Sequence, residues 1–280
     1  MTCNDVHPDA IPVFVGVTGH RLLRMENEDR IKLRRAIEDV FLELKTLCPN
    51  TDIILLTALA QGADQFAAEV ARENGTKYAA VLPMSQKEYI NRGNDFSDEA
   101  KENFLRLAGS AAFTYVLPRV GDDETQFREC ARFISDSSHI VLALWDGVLT
   151  GNKAGAAVAV CDSLQGRGYR AEKDHGISIP DTRPVYHIYT PGEGFLPKKY
   201  DYGLRKLFPD PLFETGKNWF TLDDWSGRDD DLLALFDSSA GTENPRILDE
   251  RNCTIEQQKN FEKQLKSIDT YNGLLNEYND

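Results

Sequence analysis

Four short segments of the chain carry residue types that suit the binding of a phosphate. In the first, Gly16-Val17-Thr18-Gly19-His20-Arg21, small residues let the backbone approach a ligand, and the Arg21 guanidinium offers a planar fork to an anion. Lys153 supplies a second full charge, and the Trp145 indole is suited to stack on a base. The candidate ligand-binding residues are Gly16, Thr18, Gly19, His20, Arg21, Thr57, Ala58, Gly62, Ala63, Asp64, Pro83, Met84, Trp145, Asp146, Gly147, Gly151, Lys153, Gly155 and Ala156.

Several of these residues also have a purely structural explanation. His20 is able to satisfy a carbonyl of its own turn, and Asp64 is placed to complement the dipole of the helix that it opens. Trp145 at the end of an apolar run is suited to a hydrophobic core, and Asp146-Gly147 is a common turn. The sequence leaves both explanations open for each of them.

The candidate segments follow short apolar runs that alternate with helical patterns. The strands predicted from these runs are Val13–Gly16, Asp52–Thr57, Lys77–Pro83, Ala111–Pro118, His139–Asp146 and Arg183–Pro191. The helices predicted between them are Glu28–Leu47, Gly62–Asn74, Met84–Leu107 with an interruption near Arg92–Asn94, Asp123–Ser137 and Ala154–Gln165. This alternation predicts an α/β fold with a doubly wound, mostly parallel sheet of the Rossmann-like type.

Ligands of open parallel sheets bind outside the carboxyl ends of the strands, at the point where the strand order reverses. The candidate segments all follow strands, and three of them lead into helices whose first N–H groups and positive dipole ends face the same edge. The sequence therefore predicts a nucleotide-type ligand at this edge, which we call the carboxyl edge.

The chain changes character after Pro191. Residues 192–253 show no strand alternation, which predicts loops and short helices packed on the sheet, and Thr254 is suited to cap a final helix. In that helix Phe261, Leu265, Ile268, Asn272 and Leu275 follow a 4-3-4-3 spacing, which fits either a coiled-coil seam of a homo-oligomer or packing on the chain's own domain. The predicted organisation is a Rossmann-like domain over 1–191, an extension over 192–253 and a helix over 254–280.

Composition excludes several classes of function. The formal net charge of −13 opposes general binding of DNA or RNA, which needs a basic face. Five scattered cysteines without a CxxC pair predict reduced thiols rather than disulfides or a zinc site, and no secretory signal or membrane-spanning run is present, so we expect a cytoplasmic protein. The sequence contains no Ser-His-Asp pattern, HExxH motif or Walker lysine loop, and we assign no catalytic residue, metal site or firm cofactor.

The motifs GVTGHR, LLTALAQGADQFAAEVA, AVLPM and DSSHIVLALWDG, in this order, resemble the SLOG superfamily of Rossmann-like proteins. Within it, RPVYHIYTP and KSIDTYN are similar to segments of bacterial antiphage sensor proteins associated with two-helix transmembrane effectors. The resemblance implies binding of a nucleotide-derived second messenger, an ADP-ribose derivative or a cyclic nucleotide. It also implies a separate or membrane-bound effector partner, or a longer membrane-anchored parent chain.

The same resemblance implies a limit on catalysis. The LOG phosphoribohydrolases of this superfamily carry a GGxGTxxE motif whose Glu serves cleavage of the N-glycosidic bond, and here the corresponding stretch is GNKAGAAVA, with Ala156 and Ala159 in place of Thr and Glu. We therefore expect binding rather than hydrolysis. The alternative is a nucleoside-monophosphate phosphoribohydrolase or NAD-cleaving enzyme in which Asp64 or Asp146 replaces the missing carboxylate.

Overall fold

A seven-stranded sheet forms the centre of the computed structural model of the protein, which describes residues 10–23, 27–93, 95–146, 155–165, 182–190, 203–208 and 255–279. The strands are β1 (Val13–Gly19), β2 (Ile53–Thr57), β3 (Lys77–Leu82), β4 (Phe113–Val116), β5 (Ile140–Trp145), β6 (Val185–Tyr189) and β7 (Leu204–Leu207). The helices are α1 (Asn27–Leu47), α2 (Ala63–Glu73), α3 (Gln86–Ile90), α4 (Asp98–Ser110), α5 (Asp123–Asp136), α6 (Ala156–Gln165) and α7 (Ile255–Asn279). The α/β, doubly wound fold class predicted from the sequence is confirmed.

The strand order is β4-β3-β2-β1-β5-β6-β7, with β1 to β6 parallel and β7 antiparallel to β6. Because the chain runs outward from β1 to β4 and then returns to start β5 on the other side of β1, the order reverses between β1 and β5. Crevices for ligands form at such a reversal. The topology therefore places the candidate site at the carboxyl ends of these two strands.

Along each central strand, successive side chains point alternately into two apolar layers, one on each face of the sheet. On one face, side chains of α1, α2 and α4 such as Phe41, Ala67 and Phe104 pack in one cluster with strand residues of β1, β2, β3 and β5. On the other face, α5 packs through Cys130 and Ile134, and α6 packs through Val160 and Leu164. The central strands β2 and β5 are buried at every position, as their continuous apolar runs predict for a parallel sheet covered on both sides.

One strand is not expected from the sequence. Leu204–Leu207, within the segment predicted as loops and short helices, forms β7 and pairs with β6, with Leu204 opposite Ile188 and Leu207 opposite Val185. Its sequence, Leu-Arg-Lys-Leu, lacks apolar alternation, so only the open edge of β6 accounts for the pairing. The rest of the 192–253 extension lies outside the described residues.

Helix α7 packs on its own chain through the seam that the spacing predicted. Leu265 is fully buried against the sheet domain, and the Asn272 side chain accepts from Ile11 N at 3.0 Å and donates to Ile11 O at 2.9 Å. The Asp269 carboxylate accepts from Asn50 N at 2.7 Å and from Thr51 Oγ1 at 2.9 Å. The coiled-coil alternative is therefore wrong for this seam, because its polar members bond to the domain. No described helix combines the length and the apolar composition needed to cross a membrane.

Replacing Asp269 with alanine is expected to lower the free energy of unfolding by about 2 kcal/mol, because it removes the charged acceptor of the Asn50 N–H and of the buried Thr51 hydroxyl. Urea unfolding followed by circular dichroism measures the loss. Thr270→Ala is the control, because the Thr270 hydroxyl bonds only within the helix, to Lys266 O at 2.8 Å. Equal losses for the two variants would show that α7 does not dock through Asp269.

Candidate functional site

The His20 side chain joins the ends of β1 and β5 at the point where the strand order reverses. Its Nε2 lies 3.1 Å from the backbone N of Asp146 and 3.2 Å from Asp146 Oδ2, and its own backbone N donates to Leu144 O at 3.1 Å. The exposed fractions of the two side chains are 20% for His20 and 9% for Asp146. An imidazole and a carboxylate are thus held together, the carboxylate buried and the imidazole partly exposed, where a ligand of this fold would bind.

Two glycines let the β1 turn, the end of β5 and the start of α2 meet beside His20 and Asp146. A Cβ on Gly62, whose φ is +96°, would lie 2.4 Å from His20 O and 2.3 Å from Arg21 O. A Cβ on Gly19 would lie 2.4 Å from Leu144 O and 2.5 Å from the Ala63 side chain. Ala63 N donates to His20 O at 2.9 Å, so the start of α2 is bonded directly to the β1 turn. These glycines are required by packing within the protein.

Asp64 turns back toward the loop after β2. Its Oδ2 accepts from Ala58 N at 3.0 Å and lies 3.3 Å from Thr57 Oγ1. Burial raises the pKa of the Asp64 carboxyl from 3.8 to about 6, an effect that these hydrogen bonds and the Arg21 charge only partly oppose. A carboxylate therefore lies in the first turn of α2, which disfavours a phosphate there and leaves Arg21 and α6 as the better anion contacts.

The loop between β2 and α2 is held in a strained conformation. Leu59 is fully buried and has a φ of +54°, which is uncommon for a residue with a side chain. Thr57 Oγ1 accepts from Leu59 N at 3.0 Å, and Gln65 Nε2 donates to Leu59 O at 3.2 Å. Strained residues of this kind concentrate at binding sites. Leu59 is a site feature that the sequence did not indicate, because nothing in its side chain marks the backbone conformation.

Arg21 lies at the carboxyl edge, about half exposed, with Nη1 3.0 Å from Asp95 Oδ1. This pair begins a chain of alternating charges across the edge toward β4. The members of the chain, in spatial order, are Arg21, Asp95, Arg92, Asp123, Arg119 and Glu88. The connection between α3 and α4 is thus coupled electrostatically to the β1 turn.

Helix α6 begins beside the end of β5, directly after the exposed Gly155. Gly155 has a φ of +127°, a Cβ built there would meet nothing within 4 Å, and Gly155 O accepts the first intrahelical bond from Ala159 N at 3.1 Å. Ala156 packs against the β5 side of the sheet in the cluster that contains Trp145. Ala159, the position of the LOG-type Glu, is buried and carries no carboxylate. Gly147, Gly151 and Lys153 lie outside the described residues.

Apart from Thr18, the other predicted residues lie away from the β1–β5 junction. Gly16 is in the middle of β1, where a Cβ would lie 2.5 Å from Ser138 Oγ, so its role is packing. Pro83 and Met84 follow β3, two strands and therefore about 10 Å from β1. Thr18 lies on β1 opposite Ala143 of β5.

The Trp145 side chain is in the core. It is only 3% exposed and packs in a buried cluster with residues of α6, with its ring centroid 6.0 Å from that of His187. His187 Nε2 lies 2.9 Å from Trp145 O, and burial lowers the pKa of this histidine from 6.5 to about 4. The Trp145 side chain is therefore part of the hydrophobic core and not a platform for base stacking. The neutral His187 contacts the carbonyl at the end of β5 from the neighbouring strand β6.

Across the described residues, no cluster of three or more His, Cys, Asp or Glu side chains is arranged to hold a metal ion. The described groups at the β1–β5 junction include the Arg21 guanidinium, the His20 imidazole, the Asp146 carboxylate and the start of α6. This set is suited to hydrogen-bond a phosphate and a sugar hydroxyl.

No protein-family model and no curated protein matches the chain. Among the solved structures similar to it are two of DNA processing protein A. The protein from Streptococcus pneumoniae is 17% identical over 66% of this chain and 52% of its own, with a TM-score of 0.38. The protein from Helicobacter pylori, described as binding single-stranded DNA, is 17% identical over 55% of this chain and 61% of its own, with a TM-score of 0.36.

The chain thus spans between half and two thirds of the length of these two proteins. At such identities and TM-scores the similarity carries no conclusion about function. The site is therefore interpreted from its own geometry.

Proposed function

We propose that the protein binds a nucleotide-derived small molecule at the carboxyl ends of β1 and β5 and transmits its presence to an effector. The observation that carries this proposal is the contact of His20 with Asp146 at the point where the strand order reverses. Open sheets of this kind bind nucleotides at that point, and here it presents polar side chains that are fixed from both strands.

The charges at the junction favour a ligand with few phosphates. Arg21 is the cation of the β1 turn. Two carboxylates lie nearby, Asp146 within hydrogen-bond distance of His20 and Asp95 within hydrogen-bond distance of Arg21. A carboxylate repels a phosphate but accepts hydrogen bonds from sugar hydroxyls. We assign Arg21 and the α6 N-terminus to a phosphate and Asp146 to a ribose, which suits an ADP-ribose derivative or a cyclic nucleotide.

The coupling step uses the chain of ion pairs. A phosphate that binds Arg21 competes with Asp95 for the same guanidinium, and Asp95 belongs to the α3–α4 connection. Ligand binding would therefore release that connection from the β1 turn and alter the surface presented to an effector, either a separate chain or a membrane protein. Coating of single-stranded DNA is not part of this proposal, because the net charge of −13 opposes it.

Thermal unfolding with a panel of ADP-ribose, cyclic ADP-ribose isomers and cyclic dinucleotides tests the proposed ligand class. A ligand at about a hundred times its Kd adds about 2.7 kcal/mol to the free energy of unfolding, which raises Tm by several degrees. Oligo(dT) of matched phosphate concentration is the control for unspecific anion effects. An unchanged Tm with every member of the panel contradicts the proposal.

Asp95→Asn is expected to tighten ligand binding by up to about fivefold, because an exposed ion pair contributes up to about 1 kcal/mol and its loss frees Arg21. Calorimetric titration measures the change. Asp98→Asn is the matched control, since it removes a fully exposed carboxylate that lies three residues after Asp95 in the chain. Weaker binding to Asp95→Asn than to wild type would show that Asp95 contacts the ligand favourably.

One observation favours hydrolysis of the ligand as a second candidate. The His20–Asp146 pair supplies a carboxylate beside an imidazole, which are the groups that N-glycosidic cleavage uses, although Ala159 lacks the LOG-type carboxylate. Chromatography of AMP and NAD after long incubation decides between the candidates. Release of ribose phosphate or nicotinamide by wild type and not by Asp146→Asn would establish the enzyme.

A further inference from the structure

The edge strand β4 is exposed in a way that no other strand of the sheet is. All four of its residues, Phe113–Val116, are exposed, whereas every residue of β2 and β5 is buried. β4 pairs with β3 on one side only, and α5 packs against β1 and β3. Both faces of β4 are therefore partly exposed, and within the described part of the molecule no strand pairs with its outer backbone edge.

The exposed side chains of β4 are apolar and continue onto α5. Phe113 and Tyr115 are 44% and 42% exposed and, being two residues apart, lie on the same face of the strand. The Tyr115 ring stacks on that of Phe133 of α5 with centroids 5.4 Å apart, and Phe133 is itself 37% exposed. Large side chains in such a patch mark an interaction surface rather than a scattered apolar residue.

The two outer strands of the sheet differ in their protection. Proteins commonly keep exposed edges from pairing by placing charges on them, and β7 carries Arg205 and Lys206. The stretch from Ser110 to Pro118 contains no charged residue, although the chain has 28% charged residues and a net charge of −13. The β4 edge therefore lacks the usual protection against pairing.

The backbone of β4 is complementary to itself. The register of β4 on β3 runs from Ala79 opposite Phe113 to Leu82 opposite Val116, and Leu117 N donates to Leu82 O at 2.9 Å. By alternation Phe113 and Tyr115 therefore bond to β3, and the N–H and C=O groups of Thr114 point away from the sheet. In an antiparallel pair centred on Thr114, the two Thr114 residues face each other and exchange both backbone hydrogen bonds. Phe113 of each copy then faces Tyr115 of the other as a non-hydrogen-bonded pair, about 4.5 Å apart at Cα, which brings the aromatic side chains close together.

We propose that β4 is a dimerisation edge, on which a second copy of this chain pairs antiparallel about Thr114 to give a continuous fourteen-stranded sheet. This register places aromatic side chains opposite each other on one face and two threonines opposite each other on the other face, pairs that stabilise sheets. A two-fold interface needs a surface that is complementary to itself, and the uncharged β4 edge meets that requirement.

The interface is small, so the dimer is reversible. A four-residue strand with Phe133 provides far fewer than the roughly 20 residues per partner of a standard interface. Each copy carries a net charge of −13, and salt screens the resulting repulsion. The fraction of dimer is therefore expected to rise with protein concentration and with ionic strength.

Sedimentation equilibrium of wild type, Thr114→Lys and Thr114→Glu tests the proposed register. Wild type is expected to approach twice the monomer mass as concentration rises, and each variant alone is expected to dimerise at least tenfold more weakly, because like charges then meet on the two-fold axis. An equal mixture of the two variants is expected to regain the dimer, because opposite charges then meet. Circular dichroism melting confirms that each variant folds.

Leu274→Lys, at an exposed position of α7, is the control and is expected to dimerise as wild type does. A monomer at every concentration, a dimer that survives in Thr114→Lys alone, or a mixture that stays monomeric overturns the proposal. Loss of the dimer in Leu274→Lys instead would assign the interface to α7 and overturn it as well.

Discussion

Gly62→Ala is expected to lower the free energy of unfolding by about 3 kcal/mol, one of the two largest effects of a single substitution that we predict. Two causes add. The φ of +96° is unfavourable for any residue with a Cβ, and that Cβ would lie 2.3 Å from the backbone oxygen of Arg21. Since a backbone carbonyl cannot rotate away as a side chain does, the β1 turn must move, and the site moves with it. Urea unfolding measures the loss.

Gly75→Ala separates the two causes. Gly75 also has a positive φ, +73°, but a Cβ there would meet nothing within 4 Å. This control is expected to cost about 1 kcal/mol, the conformational penalty alone, and to leave ligand binding unchanged. If both variants lose the same stability, the close approach of α2 to the β1 turn is not what constrains Gly62.

Asp64→Asn is expected to change how stability depends on pH by about 3 kcal/mol. The folded-state pKa of Asp64, about 6, lies above the unfolded value near 3.8, so the folded protein binds the proton more tightly. The stability that this proton contributes is fully present below pH 4, is lost as the pH rises through 6, and is absent at pH 7. Two pKa units correspond to about 3 kcal/mol.

The variant lacks this titration, because an asparagine amide keeps the hydrogen bond from Ala58 N without a charge. The free energy of unfolding of wild type minus that of Asp64→Asn is therefore expected to fall by about 3 kcal/mol between pH 4 and pH 7, as urea titrations at several pH values would measure. Asp98→Asn, at a fully exposed carboxylate of α4, is the reference substitution. If the difference between wild type and Asp64→Asn changes with pH no more than the difference between wild type and Asp98→Asn, the pKa of Asp64 is not raised by burial.

The sequence predicts most of the sheet because its strands are unusually clear. Runs such as Ile53–Thr57 and Ile140–Trp145 are apolar at nearly every position, and only a strand buried on both faces requires that. β7 could not be predicted, because its pairing comes from the open edge of β6 and not from its own residues.

The site is only partly predictable for a related reason. Residues that follow strands are easily named, but no single segment shows which strands are neighbours in the sheet. The contact of His20 with Asp146 is therefore seen only in the structure, where β1 and β5 lie side by side. Similarly, Asp95 lies 74 residues from Arg21 in sequence, and no local pattern joins them. Trp145 shows the converse, since its position after a strand suggests a ligand contact while its side chain fills the core.

The most direct test of the proposed function is calorimetric titration of wild type, Arg21→Ala and Arg119→Ala with ADP-ribose, cyclic ADP-ribose isomers and cyclic dinucleotides. Arg21 and Arg119 are almost equally exposed and belong to the same chain of ion pairs, but Arg119 follows β4 and lies three strands from β1. At least one ligand is expected to bind wild type and Arg119→Ala alike, and to bind Arg21→Ala at least tenfold more weakly, because a hydrogen bond to a charged group contributes about 1.5–3 kcal/mol. Absence of binding to wild type, or equal binding to all three proteins, would contradict a nucleotide site at the β1–β5 junction.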